Sequence, residues 1–277
     1  MTNFTDISTE KQAIKLLRNS VGRIYCPKCK KKHYIRSLPN GRYYCQQCRY
    51  KFSFKVLLGL KNSKLNYVQI IKLIHYFSRA ESISTVMDHL HLSYQSVRNN
   101  YSRLRPLLPN DKGKLAGDVI TDVMYVGKQK TDNQSLVSGA VNREFNYINL
   151  QIVPNQDQGT LEKFIYDHID HTCSLITTDS HKSYSDIEWM GYGHNQENHS
   201  KFELKLSVPI ERVWALFKTL VRRTYHHIWK EKLPEYLVEF RARFNHREIV
   251  SNPTLLLAYL INPVPTDWHN NASRTLS

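Results

Sequence analysis

Four of the five cysteines stand in one short stretch, as Cys26-Pro-Lys-Cys29 and, fifteen residues on, Cys45-Gln-Gln-Cys48. Each C-x2-C pair is a tight knuckle that turns two thiolates toward one point, and two knuckles at this spacing supply the four sulfurs of a tetrahedral zinc site. The intervening "HYIRSLPNGRYY" reads as two short strands joined by a turn at Pro39-Asn40-Gly41, so the expected unit is a hairpin pinned by Zn2+. Paired disulfides or a redox pair are the alternatives. The start of the chain lacks the apolar run of a secretory signal, and no βαβ pattern surrounds the cysteines, which disfavours both. His33 reads as a surface residue beside a complete ligand set, and Cys173 as a small buried apolar side chain.

The same stretch is strongly basic. Residues 23–55 carry lysines and arginines with no acid among them, interleaved with Tyr25, Tyr34, Tyr43, Tyr44 and Tyr50. Cations beside flat rings suit phosphates and bases, and the formal net charge of +15 over 277 residues points to a polyanionic partner, DNA first. No run of 18 apolar residues exists, so the expectation is a cytoplasmic, nucleoid-associated protein with no membrane partner.

Beyond the cysteines, residues 62–106 show helical periodicity in three pieces: "LNYVQIIKLIHYFS", "ISTVMDHL" and "SYQSVRNNYSRLR". The last two, separated by His91-Leu92-Ser93, form a helix-turn-helix pattern in which Ser93 caps a recognition helix presenting Tyr94, Gln95, Arg98 and Asn99 to DNA. A plain three-helix packing unit is the bland alternative. Residues 107–116 have a linker composition.

From residue 117 to 250 the pattern changes to three strand-like runs ("DVITDVMYVG", "SLVSGAVN", "YINLQIVP"), then a helix, a strand "SLITTD", a helix beginning "HKSYSDI", a short strand near "GHNQENHS" and further helices. Three consecutive strands followed by alternating helices and strands are the order of an RNase H-like mixed sheet. The expected fold class is therefore multidomain α+β: an N-terminal segment (1–20), a zinc ribbon (21–55), the helix-turn-helix, the linker, an RNase H-like α/β domain (117–250), and a C-terminal helix and tail (251–277).

Reactive groups of such a sheet sit at strand ends and on facing helices, and three acids fall there. Asp122 interrupts an apolar, β-branched strand; Asp179 ends the run Ser-Leu-Ile-Thr-Thr; Glu211 lies in the first turn of a helix opened by Pro209. On that helix Ile210, Val213, Trp214, Phe217, Leu220 and Val221 form the apolar face. Glu211 and Lys218 stand about 700° apart at ~100° per residue, so both lie on one polar edge, which Arg222 and Arg223 extend. Three carboxylates can hold two Mg2+ or Mn2+ ions about 3.5–4 Å apart for phosphoryl transfer, with Lys218 as a point charge on a phosphate. Each acid also has an ordinary reading as a paired strand acid, a helix cap or a first-turn residue. Asp118 rivals Asp122 for the first position, and Asp132, Asp157 and Asp186 read as turn or cap residues.

Taken together, "CPKC…CQQC", "VITDVMYVG", "TTDSHKSY", "ENHS" and "IERVWALFK…TYHH" with "FRARFNHRE" resemble the bacterial insertion-sequence transposases of the zinc-ribbon plus DDE type, the ISXO-like family, over nearly all of residues 20–250. The resemblance implies a metal-binding triad of Asp122, Asp179 and Glu211 with Lys218 as the downstream basic residue. It also implies an enzyme that binds terminal inverted repeats and carries out metal-dependent strand cleavage and strand transfer, acting on element ends and target DNA as a homo-oligomer. Two positions depart from the family pattern: Val123-Met124 follow the first Asp, and Val208 stands three residues before Glu211 in place of Asn. A cleavage-impaired, zinc-dependent DNA-binding protein and an RNase H-like nuclease are the competing readings.

Overall fold

The computed structural model describes residues 4–21, 24–111, 113–127, 134–197 and 208–262. The chain divides into two compact units, residues 110–245 and the segments on either side of it.

In the flanking unit, helix α1 (Glu10–Ser20) begins at a capping box between Thr9 and Gln12 and buries Ala13 and Leu17. The sequence reading leaves this segment without structure, although Thr9-x-x-Gln12 marks the start. Three antiparallel strands follow, β1 (Ile35–Leu38), β2 (Arg42–Cys45) and β3 (Lys51–Ser53). The expected hairpin is β1–β2, turning where Asn40 and Gly41 both take positive φ (57° and 67°), a conformation these two residues tolerate best. The third strand, with Phe52 opposite Tyr43, is too short to announce itself by alternation.

After the short α2 (Phe54–Leu57) come α3 (Tyr67–Ser78), α4 (Ile83–Leu90) and α5 (Tyr94–Leu104), the three expected helical pieces. Asn66, Ser82 and Ser93 cap them, and His91 ends α4 in the left-handed region at φ 52°. Glu10 of α1 reaches the start of α3, where its Oε1 accepts from the backbone N–H groups of Tyr67 (2.7 Å) and Val68 (3.2 Å). A carboxylate there satisfies two orphan donors and complements the helix dipole.

In the central unit, five strands form one mixed sheet: β4 (Asp118–Val126), β5 (Ser135–Asn142), β6 (Ile148–Val153), β7 (Leu175–Asp179) and β8 (Gly193–Glu197), in the order β6-β5-β4-β7-β8. Strand β5 is antiparallel to both neighbours, whereas β4, β7 and β8 run parallel. This is the mixed sheet expected from the sequence. Helix α6 (Gln158–His168) crosses between β6 and β7. Helices α7 (Val208–Leu220) and α8 (Leu233–Asn245) follow the sheet, and α9 (Arg247–Val250) and α10 (Pro253–Ile261) complete the described chain.

Strand β4 is apolar on both sides because both sheet faces are covered. Ile120 and Met124 pack with Val213, Trp214 and Phe217 of α7 and with Leu237 and Phe240 of α8; Val119 packs on the other face with Leu161, Phe164 and Ile165 of α6. Asn245, at the end of α8, holds β6 by both ends of its amide: Oδ1 accepts from Ile148 N–H (2.9 Å) and Nδ2 donates to Ile148 O (3.0 Å).

Two expectations are corrected. The segment beginning at His181 is not an α-helix but two 3-10 turns, Lys182–Tyr184 and Glu188–Met190, because Asp179 and His181 draw the local amides into side-chain turns and Gly191 (φ +88°) closes the segment. The helix opened by Pro209 does not continue through Arg222 and Arg223. It gives way to a π turn, Val221–Tyr225, whose wider winding takes both arginines off the line that an α-helix would draw from Glu211 through Lys218. Of "GHNQENHS", residues 198–200 lie outside the described residues, as do Asp132, Arg23 and the tail from residue 263.

Helix α10 joins the flanking unit, packing on α1, α2 and α3. A nine-residue helix is marginal alone; "TLLLAYLI" is stabilised by burial of Leu256, Leu257, Leu260 and Ile261.

Candidate functional site

The parallel register of β4 and β7 sets the geometry. Asp118, Val119 and Ile120 lie level with Leu175, Ile176 and Thr177, and the same offset carried two residues on brings Asp122 level with Asp179. On the outer sides, Asp122 pairs with Gly139 of β5 and Asp179 with Glu197 of β8. Residues level across a sheet point to the same face, so Gly139, Asp122, Asp179 and Glu197 form one row beneath the α7 side. Glu197 is only 4% exposed. It is a further carboxylate that sequence reading passed over, since nothing in "ENHS" reveals the register.

Helix α7 is tied to this row by a hydrogen bond. The indole Nε1–H of Trp214 donates to Asp122 Oδ2 at 2.9 Å, and the ring is 6% exposed. A buried indole N–H needs an acceptor, and the charged carboxylate makes the bond stronger than a neutral one. Gly139 makes room for it: a Cβ there would lie 2.3 Å from Trp214 Cη2 and 2.7 Å from Cζ2. From sequence, Trp214 is merely part of the apolar face. Its polar function was visible only in the coincidence of an acid within an apolar strand and a tryptophan on the facing helix.

Glu211 lies three residues before Trp214 and is exposed, as is Lys218 one turn after it. The Trp214–Asp122 bond thus fixes the turn of α7 that carries Glu211 against the sheet. Among the described residues, however, the carboxylates of Asp122, Asp179 and Glu211 are not gathered around a single ion position. Two ions each held by a subset of the acids do not require that gathering.

Tyr184, from the first 3-10 turn, is buried on the α6 side of the sheet. Burial raises its phenol pKa well above the usual value, and the charges of Asp122 and Asp179 raise it further. One phenol therefore lies within electrostatic range of both acids and stays neutral. Asp179 is itself oriented by the backbone N–H of His181, which donates to Oδ1 at 3.1 Å. The rival Asp118 sits at the other end of β4, paired with Arg143 at 3.2 Å. Asp157 stands at the N-cap of α6, and Cys173 is buried with its thiol pKa raised by that burial.

The cysteine site is built as the spacing predicts. Cys26, Cys29, Cys45 and Cys48 are unbridged thiols whose sulfurs all lie within 4.8 Å of one another, with Cys26–Cys48 at 3.5 Å and Cys29–Cys45 at 3.6 Å. Four sulfurs at Zn–S of about 2.3 Å in a tetrahedron stand about 3.8 Å apart, so the set fits structural zinc. After each knuckle one residue turns left-handed, Lys30 (φ 60°) and Arg49 (φ 56°), which aims both sulfur pairs inward. The Cys48 backbone amide holds the Cys45 thiol pKa down to about 7, whereas burial pushes Cys48 up to about 12.

Of the expected DNA-contacting side chains, Tyr94, Gln95 and Asn99 are exposed on α5 and Arg98 is half-buried; Gln95 Nε2 donates to Asn99 Oδ1 at 2.7 Å.

Residues 114–245 match the family model of the ISXO2-like transposase domain. The chain carries an ISXO2-like transposase domain. The matched residues run from just before β4 to the end of α8 and so coincide with the central unit. Among solved structures, the catalytic core domain of BIV integrase aligns with 44% of this chain and 80% of its own, at 12% identity and a TM-score of 0.32. No curated protein matches the sequence. Within the transposase domain the family-like blocks now have physical roles. Tyr225 of "TYHH" donates its hydroxyl to both carboxylate oxygens of Glu239 at 2.7 Å, Arg243 pairs with Glu239 at 2.8 Å, and Asn245 secures β6. Among the described residues no helix is long and apolar enough to cross a membrane.

Proposed function

We propose that the protein is a DDE-type DNA transposase in which Asp122, Asp179 and Glu211 hold two Mg2+ or Mn2+ ions. The observation that supports this most directly is the register: two acids 57 residues apart each stand two residues beyond the last pair of two parallel strands, and the helix bearing the third is bonded to the first. Hard carboxylate oxygens suit these ions, and among the described residues the row itself holds neither sulfur nor imidazole. When bound, the ions activate the attacking oxygen and stabilise the leaving one.

The side chains have separable tasks. Trp214 orients Asp122, the His181 amide orients Asp179, and Lys218 offers a point charge to a phosphate oxygen. The neutral phenol of Tyr184 walls the carboxylates from the α6 side without adding a charge. Water attack on the phosphodiester at the element end frees a 3′-OH; that hydroxyl then attacks a target phosphodiester, displacing a 3′ oxygen. Both steps are in-line displacements at phosphorus and one site serves both. The basic zinc ribbon and the α4–α5 pair bind the terminal inverted repeats, with Tyr94, Gln95, Arg98 and Asn99 at base edges and Arg222 and Arg223 on the backbone. The active form is a homo-oligomer on paired ends.

The Asp179→Ala variant should lose strand cleavage of end-containing DNA while retaining end binding; cleavage at the native rate would overturn the assignment. A second reading, a DNA-binding protein that does not cut, rests on Val208. The other departure is a packing change, since Val123 and Met124 face the two apolar cores. End binding with no Mg2+- or Mn2+-dependent nicking by the native chain would favour that second reading.

A further inference from the structure

In the flanking unit, a cavity of about 650 Å³ lies between the end of α1 and the β1–β2 hairpin. Alternation fixes which hairpin side chains face it. Ser37 stands opposite Tyr43 and Tyr43 opposite Phe52, so these share one face with Ile35, whereas Arg36, Tyr44 and Lys51 form the row on the other face. Val21 and Ile35 give the cavity an apolar wall, Arg18 and Lys32 stand around it, and no carboxylate lines it among the described residues. Both cations are exposed, and among the described residues neither enters an ion pair. Unneutralised cations beside an apolar wall suit a phosphate that brings a sugar with it.

The two cations are positioned by different means. Arg18 Nη2 donates to Ser37 Oγ at 3.3 Å; burial raises the pKa of the Tyr43 phenol, and the Arg18 guanidinium beside it works the other way. A guanidinium oriented so keeps most of its five N–H donors for an anion. Helix α1, which carries it, is itself held by the buried Ala13 and Leu17. Lys32 sits in a segment pinned at both ends to the cysteine knuckles: Cys26 N–H donates to Lys31 O and Gln46 N–H to Tyr34 O, each at 2.9 Å. Between those anchors lie Lys32 and His33, and both line the cavity. The fold of the zinc site thus sets Lys32 facing Arg18, although 14 positions separate them in the chain.

We propose that this cavity seats one phosphodiester of the DNA backbone, its oxygens held by Arg18 and Lys32 and its sugar against Val21 and Ile35. The inference rests on the DNA-binding reading above and narrows it. Duplex DNA meets the α1 side of the ribbon, and α1, outside the cysteine stretch, is part of the DNA-binding surface. The opposite face carries Arg36 and Lys51 as exposed charges, which a merely basic ribbon would use equally well. A backbone contact of this kind fixes the placement of the ribbon on the duplex and carries no sequence information.

The test uses the full zinc-loaded chain and a short DNA duplex of arbitrary sequence, with binding followed by fluorescence anisotropy over a range of salt concentrations and no added Mg2+ or Mn2+. Each phosphate neutralised contributes about 0.9 to the slope of log K against log salt. The double variant Arg18→Ala/Lys32→Ala should lower that slope by about 0.9, the value for a single shared phosphate, and weaken binding about tenfold at fixed salt. Arg18→Lys keeps the charge and should keep the slope. Arg36→Ala/Lys51→Ala removes the same charge from the opposite face and should leave the slope unchanged. All these side chains are exposed, so every variant should retain its zinc, measured by metal analysis. An unchanged slope in Arg18→Ala/Lys32→Ala, as for a site that takes only free phosphate, overturns the seat. So does a fall of about 1.8, which means two separate phosphates, or an equal fall in Arg36→Ala/Lys51→Ala. Failure of the native chain to bind the duplex at any salt concentration overturns the DNA-binding reading as well.

Discussion

Replacing Gly139 by alanine is the sharpest probe of how helix α7 is held to the sheet. The new methyl group would begin 2.3 Å from Trp214 Cη2 and 3.0 Å from Leu150 Cδ2. Contact distances between carbons are about 3.5–4.0 Å, so the indole must retreat by about 1 Å. That displacement takes Nε1 out of hydrogen-bonding range of Asp122 Oδ2, now 2.9 Å away. Overpacking costs about 1–3 kcal/mol, and losing a hydrogen bond to a charged acceptor about 1.5–3 kcal/mol. Alanine's smaller unfolded-state entropy returns about 0.4–1 kcal/mol, so the net loss is about 2–5 kcal/mol, read from the urea midpoint at unchanged slope. Cleavage should fall about 100-fold, because a 1 Å misplacement of a catalytic element costs about that much. The double variant Gly139→Ala/Trp214→Phe separates the two effects. Phenylalanine lacks the outer ring atoms that clash, so stability should exceed the sum of the single variants by about 1 kcal/mol or more, while cleavage stays low for want of the N–H donor. Native-like stability and cleavage in Gly139→Ala would refute the reasoning.

Three further outcomes are expected. Stripping zinc with a chelator, or Cys26→Ser, should melt the ribbon strands and abolish end binding, seen by circular dichroism and gel shift, because metal binding by the four cysteines supplies folding free energy that so small a sheet lacks by itself. Tyr184 has a raised folded pKa, so its contribution to stability is complete below about pH 10 and is lost as pH climbs toward the folded value; Tyr184→Phe should therefore flatten the alkaline limb of a stability–pH profile. The Asn99→Ala variant should weaken binding to an element end by about 1–3 kcal/mol while leaving binding to unrelated DNA nearly unchanged, measured by competition gel shift at fixed salt.

Much of this protein was written in its sequence at short range. The zinc ligands were legible because four sulfurs at fixed local spacing leave little geometric freedom. The helices α3 to α5 were legible through periodicity and, for α5, the Ser93 cap. Asp122 was visible as an acid in an apolar strand and Asp179 as one closing a strand. Local signals failed where competing local bonds decided the conformation: the segment after Asp179 became 3-10 turns, and α7 passed into a π turn before Arg222.

The tertiary structure alone decided which strand lies beside which, and in what register. A parallel pairing such as β4 with β7 joins residues 57 apart through hydrogen bonds that carry no sequence label, so neither the row from Gly139 to Glu197 nor the buried position of Glu197 could be foreseen. The same holds for Trp214 and Gly139: an indole donor finds its acceptor, and a missing side chain its purpose, only once a helix is laid across the sheet. Residue types and local spacing fix what chemistry is possible; packing between distant segments fixes which groups meet to perform it.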